Sequence, residues 1–185
     1  MKYKVITPPA AVLTTAELRL HLRLDDDNAL EDSMLTALLE SAREYAQHYT
    51  GRAIGVQTIE IAVDAFPEAS IMLQPGPAIS ITSIKYLDAV GIERTITNTL
   101  YALDDYGLRN WALPAAGTTW PATADVANAV KVRYQAGSLP AAVRAALLLL
   151  VGHLYEHREN TVQTQINEVP IGVHALLDTV KDWTV

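Results

Sequence analysis

Within the stretch GHLYEHREN, residues 152–160, the residues His153-x-x-Glu156-His157 have the types and spacing of a metal-dependent hydrolase. On a helix the two histidines stand at i and i+4 on one face, where both imidazoles can hold one Zn²⁺, and Glu156 can serve as general base. Such a site needs a third protein ligand. The remaining carboxylates downstream are Glu159, Glu168, Asp178 and Asp182, and none belongs to a ligand motif. The pattern also falls at a predicted helix end, where His and Arg suit the negative pole of the dipole. A polar helix exit explains it better than a small zinc hydrolase does, and the hydrolase is kept as the alternative function. No metal ligand set and no catalytic residue is assigned.

Other chemistry finds less support. Asp25-Asp26-Asp27 lacks the glycine and the closing glutamate of a calcium loop and reads as a helix start. There is no Gly-x-Ser-x-Gly elbow and no phosphate-binding glycine loop, so no cofactor is expected. Trp111 and Trp120 read as core or interface residues of a β segment. His21, His48 and His174 are isolated. The 185 residues contain no cysteine, which excludes disulfides, thiolate zinc sites and a cysteine nucleophile. The net charge is -7 and the fourteen basic residues are scattered, against a tight grip on nucleic acid. The longest apolar run, AALLLLVG, is too short to span a membrane, and MKYKVITPPAAV has no apolar run of signal-peptide length. The expected location before any assembly is the cytoplasm.

Several elements must position these residues. The first dozen, with Pro8 and Pro9, read as an extended arm. Thr14-Thr15-Ala16-Glu17 fits a capping box, and Leu18 and Leu22 share one face of the short helix that follows. A second helix starts at Asp27 or Asn28 and carries the stripe Leu30, Met34, Leu38, Ala42, Tyr45 and Tyr49. Thr50-Gly51 stops it. From Val56 the period becomes two: QTIEIAV, SIMLQ, AISITSIKYLD, IERTIT, LYAL, WAL and AVKVRYQAG alternate, with hairpin turns at Ala89-Val90-Gly91 and Asp104-Asp105-Tyr106-Gly107. About six short, mainly antiparallel strands are expected. A helix over 140–158 is apolar nearly all round from Val143 to Val151. A polar segment follows, then a last helix from Pro170 with Val173, Leu176, Leu177 and Val180.

The fold class expected is α+β. A helical core takes two helices from each end of the chain, residues 1–55 and 136–185, and an antiparallel β lobe, residues 56–135, is inserted between them. A helix without a polar face needs cover on a second side. Leu148 and Leu149 are therefore candidates for contact with a neighbouring subunit.

The block LTTAELRLHLRLDDDNALEDSMLTALLESAREYAQHYTGRAI, with its stop Tyr49-Thr50-Gly51-Arg52, resembles the head–tail connector (adaptor) family of tailed bacteriophages. TWPATADVANAVKVRYQAG and LPAAVRAALLLLVGHLYEHRE resemble later blocks of the variant with a β insertion. The resemblance implies a structural virion protein at the head–tail junction. It implies a ring of about twelve copies between the portal and the neck or tail-completion proteins, closed by heterologous contacts. The ring would surround the DNA without reading its sequence. It also implies that the C-terminal segment docks on the portal, here through Trp183 and Val185.

Overall fold

The computed structural model describes residues 2–24, 31–107, 109–157 and 170–183. The chain is α+β and divides into two compact units. One comprises Met1–Ala10 and Gly55–Ser138, the other Ala11–Ile54 and Leu139–Val185.

The first unit is antiparallel β structure. One sheet has five strands in the order β1-β2-β8-β4-β5: β1 (Lys2–Thr7), β2 (Gln57–Val63), β8 (Val130–Ala136), β4 (Ala78–Leu87) and β5 (Glu93–Thr95). A second has three, β3 (Ile71–Leu73), β7 (Asn110–Pro114) and β6 (Tyr101–Asp104). Among the described residues the span 56–135 thus holds seven strands rather than about six. The expected arm is the eighth: Tyr3 pairs with Ile61 and Val5 with Ile59, so residues 2–7 belong to the β unit and not to the helical one. An extended segment with alternating side chains satisfies its backbone by joining an open sheet edge, and Lys4 adds a link to Glu60 of β2.

Period-two patterning produces the buried face. Ile59 and Ile61 of β2, Val132 and Tyr134 of β8 and Ile84 of β4 lie side by side and are all buried. The Tyr134 hydroxyl donates to the Pro75 carbonyl at 3.2 Å. Burial, with Tyr3 nearby, pushes its pKa up and keeps the phenol neutral. On the opposite face Glu60 lies between Lys4 and Arg133, its partners in the two flanking strands. The β4–β5 turn is tied by Asp88, whose carboxylate accepts the backbone amides of Val90 and Ile92 and pairs with Arg94. Those bonds hold its pKa low.

Entry and exit of this unit lie against each other. Gln57 pairs with Ala136, the Gly55 amide donates to the Ser138 carbonyl at 3.2 Å, and the Gly137 amide donates to the Pro77 carbonyl at 2.9 Å. Gly137 has φ +123°, and a Cβ there would lie 2.0 Å from the Gly55 carbonyl oxygen. Only glycine fits such an approach.

The second unit holds α1 (Thr15–Leu22), α2 (Asp32–Thr50), α3 (Ala141–Glu156) and α4 (Ile171–Asp178). Thr14 caps α1 as the capping box requires: the Glu17 amide donates to Thr14 Oγ1 at 3.2 Å and the Thr14 amide to Glu17 Oε2 at 2.7 Å. Glu17 also pairs with Arg144 of α3. The Thr14 amide first, then Arg144, holds the Glu17 pKa down to about 2. Gly51, at φ 68°, ends α2 in the left-handed conformation. Pro140 and Pro170 stand at the N-cap positions of α3 and α4. The proposed starts of α2 at Asp27 or Asn28, and Leu30, lie outside the described residues.

The buried face of α2 is rotated from the expected stripe. It is Leu35, Leu39, Ala42 and Ala46, with Met34, Leu38, Tyr45 and Tyr49 half-buried beside it. Both ladders run at helical spacing. The one with two alanines lets the helices approach closely, and the tyrosines stay at the border where their hydroxyls find partners. Arg43 is buried on the same helix, with Nε donating to both Glu40 oxygens at 2.9 and 3.0 Å and Nη1 to Gln47 Oε1 at 3.1 Å. Val143, Ala146, Leu147, Leu150 and Val151 of α3 and Val173 and Leu177 of α4 complete the core.

Two outcomes follow. Gly137→Ala puts a Cβ against a backbone oxygen, so chemical denaturation should show a loss of about 3 kcal/mol or more. Glu17 has a folded-state pKa below its ordinary 4.5, so its contribution is present above pH 4.5 and lost as pH falls towards 2. Glu17→Gln should flatten that part of the stability–pH curve measured by thermal unfolding.

Candidate functional site

The His153-x-x-Glu156-His157 group forms the last turn and the C-cap of α3. His157 is the C-cap, and its amide and its Nδ1 both donate to the His153 carbonyl, at 3.1 and 2.9 Å. The two imidazoles are 4.6 Å apart between centroids and tilted by 36°. Glu156 points to solvent. Tyr155 donates to Glu31 at 2.7 Å and so faces its own chain. Asp178, one of the proposed third ligands, is taken by Tyr49. Glu159 and Glu168 lie outside the described residues. Among the described residues no three His, Cys, Asp or Glu side chains are placed to hold a metal ion. The Asp25-Asp26-Asp27 run also lies outside them. Trp111 is half-buried in β7, and Trp120 stacks on Phe66 with centroids 4.8 Å apart.

The two leucines proposed for a subunit contact separate. Leu148 is half-buried and packs against the helical core, whereas Leu149 is 43% exposed. At helical spacing, adjacent residues point about 100° apart, so only one of the two faces outward. Leu149 is thus a large apolar side chain exposed on α3.

The C-terminal segment forms a clasp that the sequence reading did not anticipate. Tyr45 Oη and His174 Nε2 share a hydrogen bond of 2.8 Å, and Tyr49 Oη donates to Asp178 Oδ1 at 2.8 Å. The Tyr49 and His174 rings stack 5.0 Å apart, nearly parallel at 3°. Asp178 raises the Tyr49 pKa, since a carboxylate acceptor favours the protonated phenol; burial raises that of Tyr45. Beyond α4, the Asp182 amide donates to the Thr50 carbonyl at 2.9 Å. The Lys181 ammonium lies 4.1 Å from the Tyr49 ring centroid and 4.8 Å from that of Trp183. Trp183 is 69% exposed, an aromatic side chain held at the surface, and Val185 lies outside the described residues. The signal was two matching i,i+4 pairs, Tyr45/Tyr49 and His174/Asp178, which place a donor ladder opposite an acceptor ladder.

The described residues thus combine an α+β architecture with exposed apolar side chains and hold no metal-ligand cluster. Residues 11–169 match the head completion protein family, and the chain belongs to that family. It is a structural head–tail connector, as the resemblance of its helical blocks implied. Solved structures agree in fold. A chain in the neck of the empty gene transfer agent (GTA) particle, computed with C6 symmetry, is 25% identical, with TM-score 0.81 over 100% of this chain and 97% of that one. A chain of the native GTA virion is 24% identical with TM-score 0.79, and one in the native GTA neck, computed with C12 symmetry, is 22% identical with TM-score 0.74; coverage is again 100% and 97%. A comparison with curated proteins gives no match.

The clasp yields one expected outcome. Tyr49→Phe keeps the ring stack and removes the bond to Asp178. It should cost about 1 kcal/mol and speed hydrogen exchange of the α4 amides about fivefold.

Proposed function

We propose that the protein assembles as a closed ring of about twelve copies in the neck of a phage-like particle, between the portal and the neck or tail-completion proteins. The observation that carries this is membership of the head completion family together with likeness over the whole chain to a component of GTA necks treated with C6 and C12 symmetry. The role is structural and not catalytic: family and neighbours are virion components, and the described part of the histidine motif closes a helix end. The helical unit is the body of the adaptor and the β unit its insertion. The ring surrounds the DNA path, and a chain with net charge -7 suits a passage that does not retain DNA. The protein resides in the host cytoplasm until it joins the virion. No helix among the described residues is long and apolar enough to cross a membrane.

Leu149 supplies a subunit contact, and Trp183 with Val185 a contact to the portal. The support is the exposure of Leu149 and of Trp183 on firmly held elements.

Leu149→Asp should therefore leave a folded monomer, with stability within about 0.5 kcal/mol of the parent, that forms no rings in negative-stain electron microscopy. Leu148→Asp, which puts a charge against the core, should instead lower the melting temperature. Rings formed by the Leu149 variant would remove that residue from the interface.

A further inference from the structure

The β unit carries a socket and a knob. The socket is a cavity of about 250 Å³ lined by Ile96, Thr97, Leu100, Thr119, Trp120 and Pro121 among others. That is below the ~300–1,000 Å³ of small-molecule sites and suits a single large side chain. Its back wall is firm, because Trp120 stacks on Phe66, which meets Tyr86 edge-on at 5.6 Å. Its mouth is mixed: Leu100 lines it and remains 46% exposed, and threonines stand beside it. The knob is Tyr106, in the turn between β6 and β7, and its side chain is 100% exposed. Asp104 Oδ1 accepts the Tyr106 amide at 3.2 Å.

The two lie at opposite ends of one hairpin. Tyr106 follows the last residue of β6, while Leu100 precedes its first and Thr119 comes after the end of β7. Four residues of β6 separate them by ~13 Å at the strand rise of ~3.3 Å per residue. A cavity at one end and an unpartnered aromatic at the other are two different patches, as a heterologous, ring-closing contact needs. A fully exposed tyrosine contributes nothing to the fold of its own chain, and buried tyrosines are among the strongest interface anchors.

We propose that Tyr106 of one copy inserts into the Trp120 socket of the next copy. The contact rests on the ring reading above, with a second copy of this chain as the occupant. Apolar walls take the ring, and the threonine hydroxyls at the rim offer partners to the phenol oxygen.

The absence of cysteine makes the test clean, because only introduced thiols react. Asp105→Cys and Thr119→Cys are both at exposed positions flanking knob and socket and leave Tyr106 in place. With a short bis-maleimide, the double variant should give a ladder of covalent oligomers in denaturing gels, and each single variant should give none above dimer. Adding Tyr106→Ala should remove the ladder and raise the concentration for half-assembly about 30-fold. Rings seen by electron microscopy without a ladder would overturn this contact and leave the ring reading standing. Dimers from Asp105→Cys alone, as abundant as the ladder, would mean tip-to-tip contact and also overturn it. Monomers at every concentration, with and without portal, would overturn the ring reading and this contact with it.

Discussion

Strand β8 takes β2 on one side and β4 on the other, so the five-stranded sheet is joined through residues 130–136. That pairing sets the geometry of the whole β unit. It aligns Ile59, Ile61, Val132, Tyr134 and Ile84 on one face, and it brings Gly137 so near the Gly55 carbonyl that a Cβ on Gly137 would strike it. It also gives β1 and β4 their places on either flank. The hairpin β4–β5 can tie its own turn through Asp88, but without β8 it has nothing apolar to lie on.

The helical unit is organised by small residues and by its edges. Ala42 and Ala46 of α2 and Ala146 of α3 are buried, which suits close helix approach. Glu17 links the start of α1 to Arg144 of α3, and the tyrosines of α2 hold α4. Leu149 stands on α3 and Trp183 beside the clasp, so both are presented rather than left on loose chain.

Patterning made much of this legible. The α+β class, the Thr14 capping box, the Gly51 stop, the alternation of β2 and β8 and both hairpins follow from periods and turn residues that act locally. The misses are non-local. Residues 2–7 carry no local preference for one partner, and the open edge of β2 decides their fate. Two apolar ladders one residue apart on α2 cannot be ranked without knowing what lies opposite. Leu148 and Leu149 are equivalent in composition, and only the core position separates them. The family resemblance carried the function, which no catalytic constellation in the chain would have revealed. Knob and socket left no sequence pattern, since a cavity is made by residues from several strands and turns.

The helical unit is built from two stretches far apart in the chain, Ala11–Ile54 and Leu139–Val185, which are synthesised at different times. Leu35, Leu39, Ala42 and Ala46 leave the ribosome about 100 residues before Ala146, Leu147 and Leu150 of α3. At ~5–20 residues per second, that is an interval on the order of 5–20 s. Through that interval α2 carries its apolar face without α3 opposite, and the five-stranded sheet waits for β8, residues 130–136, which emerges only shortly before α3.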